Sequence, residues 1–357
     1  MIPSNAGAVE QKRAAELAEL AAAAKTFYAS LLGPAPDVPI RIVSAGRGAG
    51  FHSAGTILID DAVFARAKID SNSALSISEA IAKLWIGEAT TVTGDGYGII
   101  REGLTRHMAN LFLESKYGKE VADLERSRQR VAYAAISLSD APLSQIPPID
   151  DFYSTAVANK GAMLWRLLSK RIGQKTFFDT IVTNSRSGTL TLSELRSAFA
   201  ANKDLLDQML DQNTETNLLA GLPQTLVPGE SKIALRNIGT GDATVEVAAH
   251  LDNGERMSAQ ATIKAASFGE VIFRTPRKIV RVEIDQEKLY PQTDYSDDVA
   301  PRETTDTDLV LAVKRDFDKQ AFAAAEKTAR TVLRYSPRFD DGRALLARSL
   351  LAQNQLA

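Results

Sequence analysis

The chain contains no cysteine among its 357 residues. That excludes disulfides, thiolate zinc sites, iron–sulfur clusters and a cysteine nucleophile, and it leaves the compartment open. Histidine is nearly as scarce: His52, His107 and His250 are the only three, and they lie far apart in sequence. Charge of one sign is not in surplus either. The 42 Lys plus Arg against 44 Asp plus Glu leave a net charge of −2, so nothing points to nucleic acid or an anionic membrane surface as partner. No continuously apolar run reaches the roughly 18 residues of a spanning helix, so no membrane span is expected. The start, Met1-Ile2-Pro3-Ser4-Asn5, lacks the basic region and apolar core of a signal peptide.

What is present is ordinary globular material. Hydrophobic residues make up 45% and charged residues 24%, which excludes wholesale disorder and supplies real cores. The length suits two or three domains. Residues 8–32 read as an Ala/Leu/Glu-rich helix ended by Gly33-Pro34. Short strands are expected at 39–44 and 56–60, around a glycine-rich loop at 46–50 that lacks the Lys-Ser/Thr ending of a phosphate loop. Apolar residues then recur at three and four spacings in 77–87, 98–116, 119–137, 157–172 and 192–211, which predicts helices. Ser193 followed by Arg196 opens the last of these without a capping box.

The texture changes at Gly221-Leu222-Pro223. Alternating runs at 232–236, 244–248, 260–264, 270–273 and 279–284, separated by glycine turns, predict a small antiparallel sandwich. Asn253-Gly254 is its best hairpin signal. The polar stretch Gln292 to Asp308 reads as linker, and 309–352 as helical again. There, 317–333, Pro337 and 344–351 resemble one tetratricopeptide-type hairpin, which cannot bury its own face alone. The expected boundaries are therefore 1–221, 222–298, a linker at 299–308, and a helical hairpin at 309–357.

One constellation carries chemistry. Glu79-Ala80-Ile81-Ala82-Lys83-Leu84-Trp85-Ile86-Gly87 precedes Arg101-Glu102-Gly103-Leu104, and Asn159-Lys160-Gly161-Ala162 follows further on. In order and spacing these resemble the gluzincin zinc aminopeptidases of the aminopeptidase N type. Their zinc helix reads H-E-x-x-H-x-W-x-G, their third ligand lies in N-E-G, and a Y-x-K-G-A segment comes later. The resemblance spans roughly residues 20–300. It implies a multidomain fold with a mainly α-helical thermolysin-like domain, then the β-sandwich, then the helical hairpin. The family's large β-domain, which precedes the catalytic domain and closes one side of the cleft, has no counterpart; residues 1–50 supply at most a helix and a strand.

The resemblance places the two zinc histidines at Glu79 and Lys83, the general base at Ala80, the third ligand at Glu102, the catalytic tyrosine at Ala158 and the substrate-binding glutamate at His52. Only Glu102 keeps the residue type. A lysine ammonium has donors only, and a methyl group takes no proton from water. No zinc or other cofactor is therefore expected, and no catalytic residue. Glu79 and Lys83 also form a favourable i, i+4 pair. The expected replacement is a Lys83 ammonium bridged by Glu79 and Glu102. Taken by itself the pair reads as an ordinary helix surface pair; the flanking Trp85, Gly87 and Glu102-Gly103 favour the relic site. His107 and His250 read as structural, and Trp85 and Trp165 as core.

Three functions stay open. The first is a non-catalytic aminopeptidase homologue that binds peptide or protein, through the relic cleft (Glu79, Lys83, Glu102, His52) or the helical tail. The second is a metallopeptidase with residual or altered hydrolysis, the one case that needs zinc. The third is a structural piece of a larger assembly.

Overall fold

Alanine, leucine and glutamate, all strong helix formers, run through the first described segment. They form α1 (Ala8–Leu32), stopped by Gly33 at φ 89°, a left-handed end that glycine adopts without strain. The computed structural model describes residues 6–46, 50, 52–137, 141–213, 216–302, 306–335 and 340–355. Of the sequence features above, Met1–Asn5, residues 47–49 of the glycine-rich loop, Phe51 and Pro337 lie outside the described residues. The chain divides into two compact units, residues 1–129 with 141–212, and residues 130–140 with 213–357.

In the first unit, β1 (Arg41–Ala45) and β3 (Thr56–Asp60) pair in parallel from Arg41↔Thr56 to Ala45↔Asp60. The short β2 (His52–Ser53) pairs antiparallel with β3 on its other side. Ile57 and Ile59 alternate into the core, as period-two patterning requires. After α2 (Asp61–Ala65) comes α3 (Ser71–Ala82), which starts earlier than the apolar pattern alone predicts. Asp70 is the reason: its carboxylate accepts the Ser73 amide at 2.7 Å and caps the helix. Strand β4 (Thr91–Thr93) follows, then a wide π-helical turn at Ile99–Leu104 that leads into α4 (Thr105–Tyr117) and α5 (Lys119–Ala134). The last residues of α5, from 130, belong to the second unit. Next come α6 (Tyr153–Thr155), a second π-helical turn at Ala156–Lys160, α7 (Gly161–Ile172) and α8 (Gln174–Ser185).

The two π-helical turns touch at glycines. A Cβ on Gly103 would stand 2.8 Å from the Val157 carbonyl oxygen and 2.9 Å from the Gly161 Cα. Both Glu102-Gly103 and Lys160-Gly161 are thus fixed by close backbone approach. Trp165 ties α7 to the first turn by donating its indole N–H to the Ile99 carbonyl at 2.8 Å. Strand β5 (Thr189–Thr191) pairs in parallel with β4. Then follow α9 (Leu192–Ala198) and α10 (Lys203–Asp211). Here the expected uncapped start is corrected. Thr191 caps α9, and Glu194 reaches back to the Thr191 amide at 2.8 Å, a complete capping box two residues before Ser193.

The second unit holds two small antiparallel sheets and the C-terminal helices. One sheet runs β10 (Arg256–Ile263), β9 (Ala243–Leu251), β12 (Ile279–Ile284), β13 (Val299–Ala300). The other runs β11 (Ser267–Arg274), β8 (Glu230–Asn237), β6 (Leu218–Ala220), with β7 (Gln224–Val227) also on β8. All these pairings are antiparallel. Asn253-Gly254 makes the β9–β10 turn, with Gly254 at φ 85°.

Two expectations fail in this unit. The polar stretch after Gln292 is no linker up to Arg302: Gln292 and Asp298 are buried, and β13 pairs Val282 with Ala300. Its polar residues bond to one another, which composition cannot reveal. Asp306 already opens a helix. The tail is three helices, not a hairpin: α11 (Asp306–Asp318), α12 (Phe322–Tyr335) and α13 (Asp340–Ala352). The apolar pattern from 317 to 333 crosses a break at Gln320, φ 61°. Val310, Val313, Ala325, Ala329 and Val332 form its core. No helix among the described residues is long and apolar enough to cross a membrane.

Candidate functional site

The candidate site lies in the first unit, where α3 meets the first π-helical turn. Lys83 caps the C-terminus of α3 at φ −67° and ψ −13°. It keeps helical backbone there, so it stays on the face it shares with Glu79. Its ammonium donates to Glu102 Oε2 at 2.5 Å. Lys83 is buried, whereas the Glu102 side chain is 29% exposed, so the pair sits at a mouth and not in a sealed core. The wide turn at Ile99–Leu104 presents Glu102, and the Thr105 hydroxyl donates to the Arg101 carbonyl at 2.6 Å and helps hold that turn.

Glu79 takes a different partner from the expected one. Its Oε2 accepts from Arg106 Nη2 at 3.1 Å, and Arg106 Nη1 donates to Asn159 Oδ1 at 2.6 Å. The expected carboxylate–ammonium–carboxylate bridge is therefore corrected to two separate pairs, Lys83–Glu102 and Arg106–Glu79. The physical reason is the second cation: Arg106 lies four residues after Glu102, on the same side, and claims Glu79 for itself. Glu79 Oε1 remains buried without a hydrogen-bond partner.

These groups line a cavity of about 470 Å³. Glu79, Ala80, Lys83, Glu102, Arg106 and His52 all face it, with Ile57, Ile59 and Val63 as apolar wall and Asn72, Ser73, Ser76 and Ser154 as neutral polar groups. Its charged lining is balanced: Lys83, Arg66 and Arg106 against Asp60, Glu79 and Glu102. His52 lies beside the Gly50 carbonyl, with Nδ1 3.4 Å away, while Nε2 is buried without a partner. Burial, and then the nearby Lys83 ammonium, hold its imidazole below the usual histidine range.

Five of the six positions singled out in the sequence thus meet at one cavity. Ala158 does not line it; it is buried in the second π-helical turn. The sequence reading gave no site role to Arg106, Asn159 or Arg66. For Arg106 the spacing of four points to Glu102, which Lys83 takes instead, so no sequence signal led to its pairing with Glu79. Asn159 had only its place beside Ala158. Among the described residues, no three His, Cys, Asp or Glu side chains are placed to hold a metal ion.

No protein-family model matches the chain, and no curated protein sequence matches it. Solved structures do. Aminopeptidase A of Legionella pneumophila, in complex with aspartic acid, superposes with a TM-score of 0.64 over 93% of this chain at 13% identity. The fold is aminopeptidase-like. The chain spans 39% of the length of that protein. The M1 zinc metallopeptidase of Deinococcus radiodurans, as an E323A mutant bound to Tyr-Ser-Ala, matches 59% of this chain and 46% of its own at 15% identity, with a TM-score of 0.44.

Proposed function

We propose that the chain is a non-catalytic homologue of a zinc aminopeptidase, and that its cavity holds a segment of peptide or protein without cleaving it. The observation that carries the reading is the Lys83 ammonium, 2.5 Å from Glu102 inside the cavity. Catalytic zinc requires three electron-pair donors and an open position for water. At the positions the resemblance assigns, the donor set does not fit. Lys83 brings a positive charge and no acceptor, and the Arg106 guanidinium already engages Glu79. Ala80 supplies no base. Five of six functional positions have then lost their chemistry, and Glu79, Lys83, Glu102 and His52 act as binding groups. No hydrolytic step is assigned to them. The competing reading, metal-dependent hydrolysis of peptides, has Glu102 in its favour, a carboxylate of the right type at the cavity.

Zinc stoichiometry decides between the two. The protein is dialysed against zinc-containing buffer and measured by elemental analysis and native mass spectrometry, then assayed with fluorogenic amino-acyl substrates. The expected result is no stoichiometric zinc and no zinc-dependent turnover. One tightly held zinc per chain, with hydrolysis abolished in Glu102→Gln, overturns the non-catalytic reading. Binding of a fluorescent peptide pool, weakened by Ser76→Trp at the cavity wall, is the expected positive outcome.

A further inference from the structure

A second cavity in the first unit has an unbalanced, cationic lining. It holds about 400 Å³ between α1 and the sheet, within the size range of ligand sites. Ala14, Ala18 and Ala22 of α1 form one wall; Ile40, Ile42 and Phe64 form the other. The small alanine side chains leave the space that larger ones would fill. From Ala14 to Lys25 the wall runs about 16 Å at the helical rise.

Two charged side chains line this cavity, Lys25 and Arg41, and both are cations. Neither forms an ion pair or hydrogen bond with another described side chain, and no acidic residue is in the lining. The contrast with the first cavity is direct. There, every lining cation is matched by a carboxylate. Here, an apolar channel carries two cations with no ion pair among the described residues, in a chain whose net charge is −2.

We infer that this channel binds a single-chain amphiphile with an anionic head. The alkyl chain would lie along the alanine wall against Ile40, Ile42 and Phe64, and remove apolar surface from water. The head would lie against Lys25 and Arg41, which pair with no carboxylate among the described residues. Neutral amphiphiles lose that second contact, and cationic ones are repelled.

Isothermal titration of the full chain with dodecanoate, kept below its micelle-forming concentration, tests the assignment, with dodecanol and dodecyltrimethylammonium as controls. Saturable binding of one dodecanoate per chain is expected, roughly tenfold or more tighter than dodecanol. Ala18→Phe, on an exposed helix position, should fill the channel and abolish binding. The pair Lys25→Gln with Arg41→Gln should weaken dodecanoate about tenfold and leave dodecanol unchanged. Equal affinity for acid and alcohol overturns the inference, as does binding untouched by Ala18→Phe. A two-chain species in sedimentation that Ala18→Phe abolishes, without dodecanoate binding, assigns the channel to a second copy and overturns it too. Should Ala18→Phe lose its helical far-UV spectrum, the charge variants decide alone.

Discussion

Each unit of the molecule sets a lysine ammonium against a carboxylate, and the two arrangements do different things. In the second unit Lys288 Nζ stands 2.9 Å from Asp298 Oδ2 and 3.6 Å from Glu283 Oε1. Gln292 donates its side-chain amide to both Asp298 oxygens at 3.0–3.1 Å, and Tyr290 and Tyr295 extend the network. The Asp298 side chain is 0% exposed. In the first unit Lys83 and Glu102 sit at a cavity mouth, and Glu79 Oε1 and His52 Nε2 are buried without partners. Both rest on a lysine–carboxylate pair. Closure and satisfaction differ, and those separate architecture from a site. A completed network holds a strand segment in place; an incomplete one beside a cavity has hydrogen bonds left for a ligand.

The sharpest way to break that distinction is to remove each lysine. Lys288→Met leaves the Asp298 carboxylate in a closed interior with no counter-ion. Breaking a buried pair from one side typically costs about 3–5 kcal/mol, so this variant should destabilise by about 3 kcal/mol or more in urea unfolding. A loss under about 1 kcal/mol would mean that the network is open to water.

Lys83→Met should cost less, about 1–2 kcal/mol, because Glu102 is 29% exposed and water can solvate the carboxylate left behind. Adding Glu102→Gln should restore most of that loss, since the stranded charge is then gone. A double variant as unstable as the single one would show that the pair is structural glue and not part of a binding surface.

Much of this architecture was legible in sequence, and the exceptions have physical causes. Helix α1, strand β3 and strand β12 have the bounds that composition and alternation give. The Asn253-Gly254 turn followed from backbone preference. Helix α8 and the β4–β5 pair escaped because the buried apolar face of α8 is only Phe177, Phe178 and Ile181, while a parallel pair of three-residue strands has no local signal. The polar stretch from Gln292 to Arg302 read as linker because hydrogen bonding between Gln292, Asp298 and Lys288 is a tertiary fact. At the site, helical spacing paired Glu79 with Lys83, and the family resemblance added Glu102. Neither could say which cation Glu79 would take, since Arg106 comes from a different helix.

The finest test uses protons, because one buried group in each unit, His107 and Asp298, responds to acid with opposite sign. In the first unit His107 is fully buried among Phe177 and Phe178, with neither ring nitrogen hydrogen-bonded. Burial, with Arg126 and Arg166 adding to it, lowers its pKa to about 3. The unfolded chain takes a proton below the ordinary value of about 6.5 and the folded chain does not. This contribution is complete above that pH and is lost as pH falls toward 3. His52, also lowered, adds the same sign. In the second unit burial raises the Asp298 carboxyl well above its usual range against the pull of Lys288. The folded chain then takes the proton first, so this contribution is complete below the ordinary carboxyl value and is lost as pH rises through the folded one. Trp85 and Trp165 are the only tryptophans, and both lie in the first unit, so indole fluorescence reports that unit alone. Between pH 7 and 5.5 the midpoint by fluorescence should fall, by the equivalent of about 1 kcal/mol, and His107→Leu should remove most of that fall. Asp298→Asn should flatten the pH dependence of the transition that fluorescence does not see, followed by far-UV circular dichroism. A His107→Leu protein that keeps the full acid sensitivity would place the proton elsewhere in the unit, on His52 at the cavity.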